Sequence, residues 1–182
     1  MRPSNLVFIA SFFFFPAWGL AQEINPPSPP QTLRTVQQVI DGGTLLLNGG
    51  ETVRLIGVEA PPKPTNGKPN SATMGWWRQS QEFTASIVQN RKVWLEYDPN
   101  VRQDEQGRTW AYVYFKLEQG GSLGGGGVTV LSTPGTYMLN RLVLRYGMAN
   151  SGNPFPFTYR AEFKQLEQQA RNQQIGLFQQ AF

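Results

Sequence analysis

The 182-residue sequence contains no cysteine and no histidine. Without cysteine, disulfides, thiolate-bound zinc and a thiol nucleophile are all excluded. Without histidine there is no Ser-His triad, no imidazole metal ligand and no histidine general base. Any chemistry must run on carboxylates, Arg, Lys, Tyr, hydroxyls or a hard cation held through oxygen. A membrane-spanning run is missing too. The apolar stretch Leu6–Phe15 falls short of the roughly 20 residues needed to cross a bilayer.

That stretch reads instead as an export signal. Arg2 supplies the positive start, and Gly19-Leu20-Ala21 offers small residues for cleavage before Gln22. Residues 1–21 are therefore expected to be a signal peptide of a secreted or periplasmic protein. Its removal leaves 15 basic against 12 acidic residues, net +3. The basic residues of the whole chain are eleven Arg against five Lys, a bias that suits bidentate phosphate contacts as well as a solvated basic surface. Residues 22–32 carry Pro26, Pro27, Pro29 and Pro30 and read as an extended linker. The remainder, 33–182, is long enough for one domain and too short for two.

Within that domain, Leu33–Ile40, Thr44–Leu47 and Thr52–Val58 read as strands, with Asn48-Gly49-Gly50 as a hairpin turn. Pro61 to Asn70 reads as a loop. Ser71–Asn90 has helical spacing: Trp76, Ser80, Phe83 and Ile87 form a stripe widened by Met74, Trp77 and Val88, and its aromatics are expected in the core. Lys92–Tyr97 and Thr109–Lys116 read as strands again. Gln119–Gly127 lies in a Gly-rich insertion around 117–135 and lacks the Lys-Ser/Thr ending of a phosphate-binding loop. It is expected to be a flap or hairpin tip. Tyr137–Tyr146 reads as a short helix stopped by Gly147, Asn150–Thr158 as a loop, and Tyr159, Phe163, Leu166 and Ala170 as the stripe of a last helix. Three strands, a helix, two strands and two helices suggest a small barrel with helices packed at one side.

The segment Val39–Pro62, VIDGGTLLLNGGETVRLIGVEAPP, holds most of the chemistry. Val39-Ile40-Asp41-Gly42 and Val53-Arg54-Leu55 with Val58 and Pro61 recur in order with Lys92–Asp98, Asp104…Gly107-Arg108, Ala111-Tyr112-Val113-Tyr114, Met138-Leu139-Asn140, Leu144…Gly147, Glu167…Ala170-Arg171 and Gly176-Leu177-Phe178. In this ordered set the chain resembles the staphylococcal nuclease (thermonuclease) family from about Thr35 to Phe178. The resemblance implies an α+β fold: a five-stranded oligonucleotide-binding (OB-fold-type) barrel with three α-helices.

The resemblance also implies a mechanism. A calcium ion held by carboxylates polarises the scissile phosphate. Two arginines grip phosphate oxygens, and a Glu activates water as general base. The arginines map onto Arg54 and Arg108, the phosphate-binding and catalytic candidates. Gly43 occupies the place of the main calcium carboxylate, and Pro62 that of the general base. Glu59 stands at the second calcium carboxylate, on a longer arm, and Gln106 replaces a pocket Tyr. Glu59 and Asp41 are the metal-ligand candidates, with Asp104 nearby by motif position. Losing a general base costs about 10²–10⁴ in rate, so the two replacements argue against an efficient calcium nuclease.

Each residue also has a plainer reading. Arg54 could be a buried ion-pair partner of Asp41 or Glu59, Arg108 a solvated loop residue, and Asp41 a turn-capping residue ahead of Gly42 and Gly43. Phe155 and Phe157, set between prolines, are expected to pin a loop to the barrel. The expected function is an exported thermonuclease-like domain with an arginine-lined cleft for nucleic acid or another anion, its hydrolysis weak or lost. The alternatives are an active, metal-dependent extracellular nuclease of DNA or RNA using rearranged carboxylates, with calcium as its cofactor if active, and an envelope protein-interaction module.

Overall fold

A computed structural model of the protein describes residues 32–64, 71–100, 103–125 and 128–179. The expected export signal at 1–21, residues 22–31 of the expected linker and residues 65–70 of the loop after Pro61 lie outside the described residues.

Strand β1 (Arg34–Asp41) turns its Val36 and Val39 inward and pairs antiparallel with β2 (Thr44–Leu47). At Asn48-Gly49-Gly50 the chain reverses into β3 (Thr52–Leu55), and Gly49 and Gly50 take φ of 88° and 85°. Only glycine enters that region at no steric cost, which fixes the hairpin. A second turn at Ile56-Gly57 leads to the two-residue β4 (Val58–Glu59). Helix α1 (Ser71–Val88) crosses over to β5 (Lys92–Glu96), followed by β6 (Thr109–Leu117). A hairpin of β7 (Leu123–Gly125) and β8 (Val128–Leu131) precedes β9 (Gly135–Met138), α2 (Leu139–Arg145), β10 (Asn150–Ser151) and α3 (Arg160–Asn172). A 3-10 turn at Gly176–Phe178 ends the described chain.

The strands run in the order β3-β2-β1-β5-β6, and β3 pairs parallel with β6, closing a five-stranded barrel. With the three helices this is the expected α+β OB-fold-type architecture. β9 adds a sixth strand outside β6. Trp110 to Phe115 of β6 are all buried, because one face fills the barrel while Tyr112 on this strand packs against Tyr159 and Phe163 at α3. A strand covered on both faces reads as a continuous apolar run. Each large side chain withdrawn from water there contributes roughly 1.5–3 kcal/mol.

Asn140, 0% exposed at the start of α2, joins the layers. Its Oδ1 accepts a hydrogen bond from the Val113 N–H at 3.0 Å and its Nδ2 donates to the Ile56 carbonyl at 2.8 Å. It thereby fixes the end of β3 against β6, the seam that carries both candidate arginines.

Four local expectations are corrected. Thr52–Val58 is broken at Gly57, whose φ of 73° lets Phe157 and Phe163 press on its backbone. Tyr137 and Met138 are strand rather than helix, since they pair with Phe115 and Tyr114. Asn150 and Ser151, expected in a loop, pair with Glu59 and Val58. Trp76, expected in the core, is 51% exposed. The Gly-rich stretch contributes to the β7–β8 hairpin, which lies against α1 with Leu123 and Leu131 buried. Among the described residues no helix is long and apolar enough to cross a membrane.

Candidate functional site

The turn from β1 into β2 is built by Asp41. Its Oδ1 accepts a hydrogen bond from the Gly43 N–H at 2.8 Å, an Asx turn. The Gly42 carbonyl accepts from the Thr84 hydroxyl of α1 at 3.0 Å, and the Ser80 side chain fills the space a Cβ on Gly42 would need. Gly43 differs. Its φ is not in the left-handed region, and a Cβ there would meet Val58 at 3.4 Å and Ala60 at 3.5 Å, ordinary contact distances. The backbone at Gly43 therefore tolerates a side chain that the sequence does not supply.

Arg54 pairs across β3 with Thr44 on one side and Trp110 of β6 on the other. Its guanidinium carbon stands 4.8 Å from the centroid of the Trp110 ring. Phe155 meets that ring edge-on at 5.3 Å, so the guanidinium rests on an aromatic wall. Arg54 is half-buried, and its Nε is buried without a hydrogen-bond partner. It forms no ion pair with Asp41, Glu59 or any other carboxylate among the described residues. The nearby Glu51 is taken up by the Thr109 hydroxyl at 3.0 Å and Arg34 at 3.9 Å. Thr44, 2% exposed, also leaves its Oγ1 buried and unpartnered. Buried polar groups are ordinarily satisfied, and here two on paired residues have no partner among the described residues.

Arg108 enters just before β6, two residues upstream of the Trp110 that supports Arg54. Asp104 organises its loop: Oδ1 accepts from the Gln106 and Arg108 backbone N–H groups at 2.9 Å each, and Oδ2 from Arg108 Nε at 2.6 Å. Burial would raise the Asp104 pKa, but these hydrogen bonds and the Arg108 charge outweigh it and hold the carboxyl below its ordinary range. The contact uses the Nε edge of the guanidinium and leaves the Nη groups available to an anion. Asp104 thus aims Arg108. Gln106 is exposed.

The remaining candidates are Glu59, Asp41 and Pro62. Glu59 is exposed on β4, with its carboxylate against Gly152. Asp41 is engaged in its own turn. Pro62 is exposed in the loop beyond β4 and carries neither an N–H nor a titratable group. Among the described residues no three Asp or Glu side chains gather closely enough to hold a metal ion.

Two elements of the candidate site escaped sequence reasoning. Trp110 gave no signal, because only the parallel β3–β6 pairing brings it beneath Arg54. The other is Asp98, 1% exposed, which accepts from the Tyr112 hydroxyl at 2.9 Å, the Thr158 N–H at 2.9 Å and the Thr158 hydroxyl at 2.8 Å. Burial pushes this carboxyl up, but the Thr158, Asn100 and Tyr112 donors prevail and hold its pKa at about 2. Asp98 thereby anchors the loop whose Phe155 braces Trp110. Phe157 is buried in the same loop, so both phenylalanines pin it to the barrel as expected.

Comparison with known proteins agrees with this architecture. The family described as staphylococcal nuclease homologue matches residues 52–180, more than half of the chain. A thermonuclease of Staphylococcus intermedius is 29% identical over 148 residues, covering 79% of this chain and 74% of the relative. A thermonuclease of Staphylococcus hyicus is 35% identical over 91 residues, covering 48% of this chain and 51% of the relative. An SPbeta prophage-derived endonuclease of Bacillus subtilis (strain 168) is 28% identical over 149 residues, covering 79% of this chain but 43% of its own length. With the barrel, its helices and the family match in agreement, the chain belongs to the staphylococcal nuclease family.

Proposed function

We propose that this protein is an exported thermonuclease-like domain whose Arg54–Arg108 cleft binds backbone phosphate of nucleic acid, while hydrolysis is weak or lost. The observation that carries the reading is the unpaired state of Arg54. A half-buried guanidinium with a buried, unpartnered Nε costs folding free energy unless an anion supplies the acceptors. Phosphate is the anion that matches its planar fork. Arg108, held by Asp104, supplies a second cation at the seam where β6 begins. The naming of relatives as thermonucleases and endonucleases points to nucleic acid as the source of that phosphate.

The donors present do not fit a calcium ion held by carboxylates. Asp104 spends both oxygens on its own loop, Asp41 has Oδ1 in its turn, and Glu59 belongs to no group of three or more acidic side chains among the described residues. With Gly43 and Pro62 in place of a ligand and a base, the retained chemistry is anion binding and charge stabilisation. Asp98, through Thr158 and Phe155, keeps the aromatic wall under Arg54 in place.

The test is a titration of fluorescent single-stranded DNA and RNA with the purified protein over a salt series. Binding should weaken linearly in log–log form as salt rises, and Arg54→Ala with Arg108→Ala should weaken it strongly. Salt-independent binding, or full affinity in the double variant, would sink the proposal.

A further inference from the structure

A second concavity lies between β10 and α3. It has a volume of about 180 Å³ and is lined by Ser151, Gly152, Phe157, Arg160, Lys164 and Glu167. Arg160 and Lys164 are four residues apart on α3, so they project from one face of the helix. Neither forms an ion pair among the described residues. The carboxylate in the wall is already committed. Glu167 accepts from the Ser151 N–H at 3.0 Å and the Ser151 hydroxyl at 2.6 Å, and pairs with Arg171 at 2.7 Å. Glu162, the acidic residue in the first turn of α3, is engaged by Arg141 through a bidentate pair. The start of α3 carries no side-chain cap, which leaves its positive dipole end unopposed by one. Two free cations thus flank a concavity whose own carboxylate is neutralised. Glu59 at the Gly152 rim is exposed, where its charge is screened and weakens the field without cancelling it.

The concavity shares a loop with the wall behind Arg54. Gly152 and Phe157 line it, and Phe155 between them braces the Trp110 on which Arg54 rests. β4, which pairs with β10, follows β3 by a single turn. We propose that the Arg160–Lys164 concavity is a second phosphate site, receiving another backbone phosphate of the nucleic-acid strand held by Arg54 and Arg108. The inference extends the proposed function in naming the same ligand, yet its residues are separate.

The experiment adds inorganic phosphate to the isotope-labelled protein and follows backbone amide shifts. It compares the wild type, Arg54→Ala/Arg108→Ala and Arg160→Gln/Lys164→Gln. Arg160 and Lys164 are exposed, so their replacement spares the core. Phosphate should move the Ser151, Gly152 and Lys164 amides in the wild type and in Arg54→Ala/Arg108→Ala, but not in Arg160→Gln/Lys164→Gln. In parallel, Arg160→Gln/Lys164→Gln should make the salt slope for single-stranded DNA shallower by about 0.7, the share of one phosphate. Shifts confined to Thr44 and Trp110, with an unchanged slope, would overturn the second site and leave the cleft intact. Shifts confined to the concavity would overturn the cleft and keep the second site.

Discussion

Replacing Arg54 by Met separates a binding role from a structural one by the sign of the stability change. Met preserves much of the apolar stem that lies along Trp110 and removes the charge. If Arg54 were a buried ion-pair partner, its loss would strand a carboxylate and destabilise the fold by about 3–5 kcal/mol. Among the described residues it has no such partner. What is lost is a cation–π contact of about 0.5–1 kcal/mol. What is relieved is an unsatisfied buried Nε, which costs about 1–3 kcal/mol. The balance is neutral to about 2 kcal/mol stabilising, and for a domain of this size each kcal/mol moves Tm by roughly 2–4 °C. Thermal unfolding in phosphate-free buffer should therefore show Arg54→Met at or above the wild-type Tm. Single-stranded DNA at a hundred times its Kd should stabilise the wild type by about 2.7 kcal/mol and Arg54→Met by much less. A loss of 3 kcal/mol or more in Arg54→Met without ligand would refute the reasoning and make Arg54 a structural residue.

Three other perturbations follow from the same geometry. The Asp98 carboxyl is held at about 2 against 3.8 in the unfolded chain, so its stabilisation, about 2 kcal/mol, is full above pH 4 and is lost as pH falls from 4 towards 2. Asp98→Asn should flatten that part of a urea-denaturation pH profile, and an unchanged profile would contradict the assignment. Gly57→Ala must force a Cβ into Phe163 and to 2.8 Å from Phe157 at a φ of 73°. Crowding and left-handed strain together should cost about 2–5 kcal/mol in a denaturant titration, whereas a loss below 1 kcal/mol would show that the aromatics yield. Gly43→Asp with Pro62→Glu returns a carboxylate where contacts allow one, together with a base. Calcium-dependent cleavage of DNA should rise by at least about 10², and no gain would mean that these two positions do not limit cleavage.

The sequence revealed the barrel where local chemistry and tertiary pairing agree. Thr44–Leu47 matches its strand to the residue, because Asn48-Gly49-Gly50 allows one turn and apolar side chains flank it. Agreement fails where a distant contact overrides local preference. Gly57 breaks a strand of good β-formers because Phe157 and Phe163 occupy the space above it. Tyr137 and Met138 continue a helical stripe in sequence, yet the edge of β6 offers them backbone partners. Asn150 and Ser151 form a strand too short to carry any periodicity. Trp76 fits the apolar stripe of α1 and still faces solvent. The candidate site was legible as a set of residues and illegible as an arrangement. Arg54, Gly43 and Pro62 stand in the segment Val39–Pro62 itself, and Arg108 in the later motif Asp104…Gly107-Arg108. That Arg54 has no carboxylate partner among the described residues and that Trp110 lies beneath it depend on strands far apart in sequence, while the Asp104–Arg108 contact is local but needs the folded loop to set its geometry.

The central claim is that phosphate binding outlived phosphodiester cleavage. It is tested most directly by incubating the purified protein with single-stranded DNA, with calcium and with chelator, and following bound and cleaved strand in one reaction. The account predicts salt-sensitive binding of equal strength in both conditions and little or no chelator-sensitive cleavage. Rapid cleavage that disappears with chelator would contradict it and return the site to the active calcium nucleases.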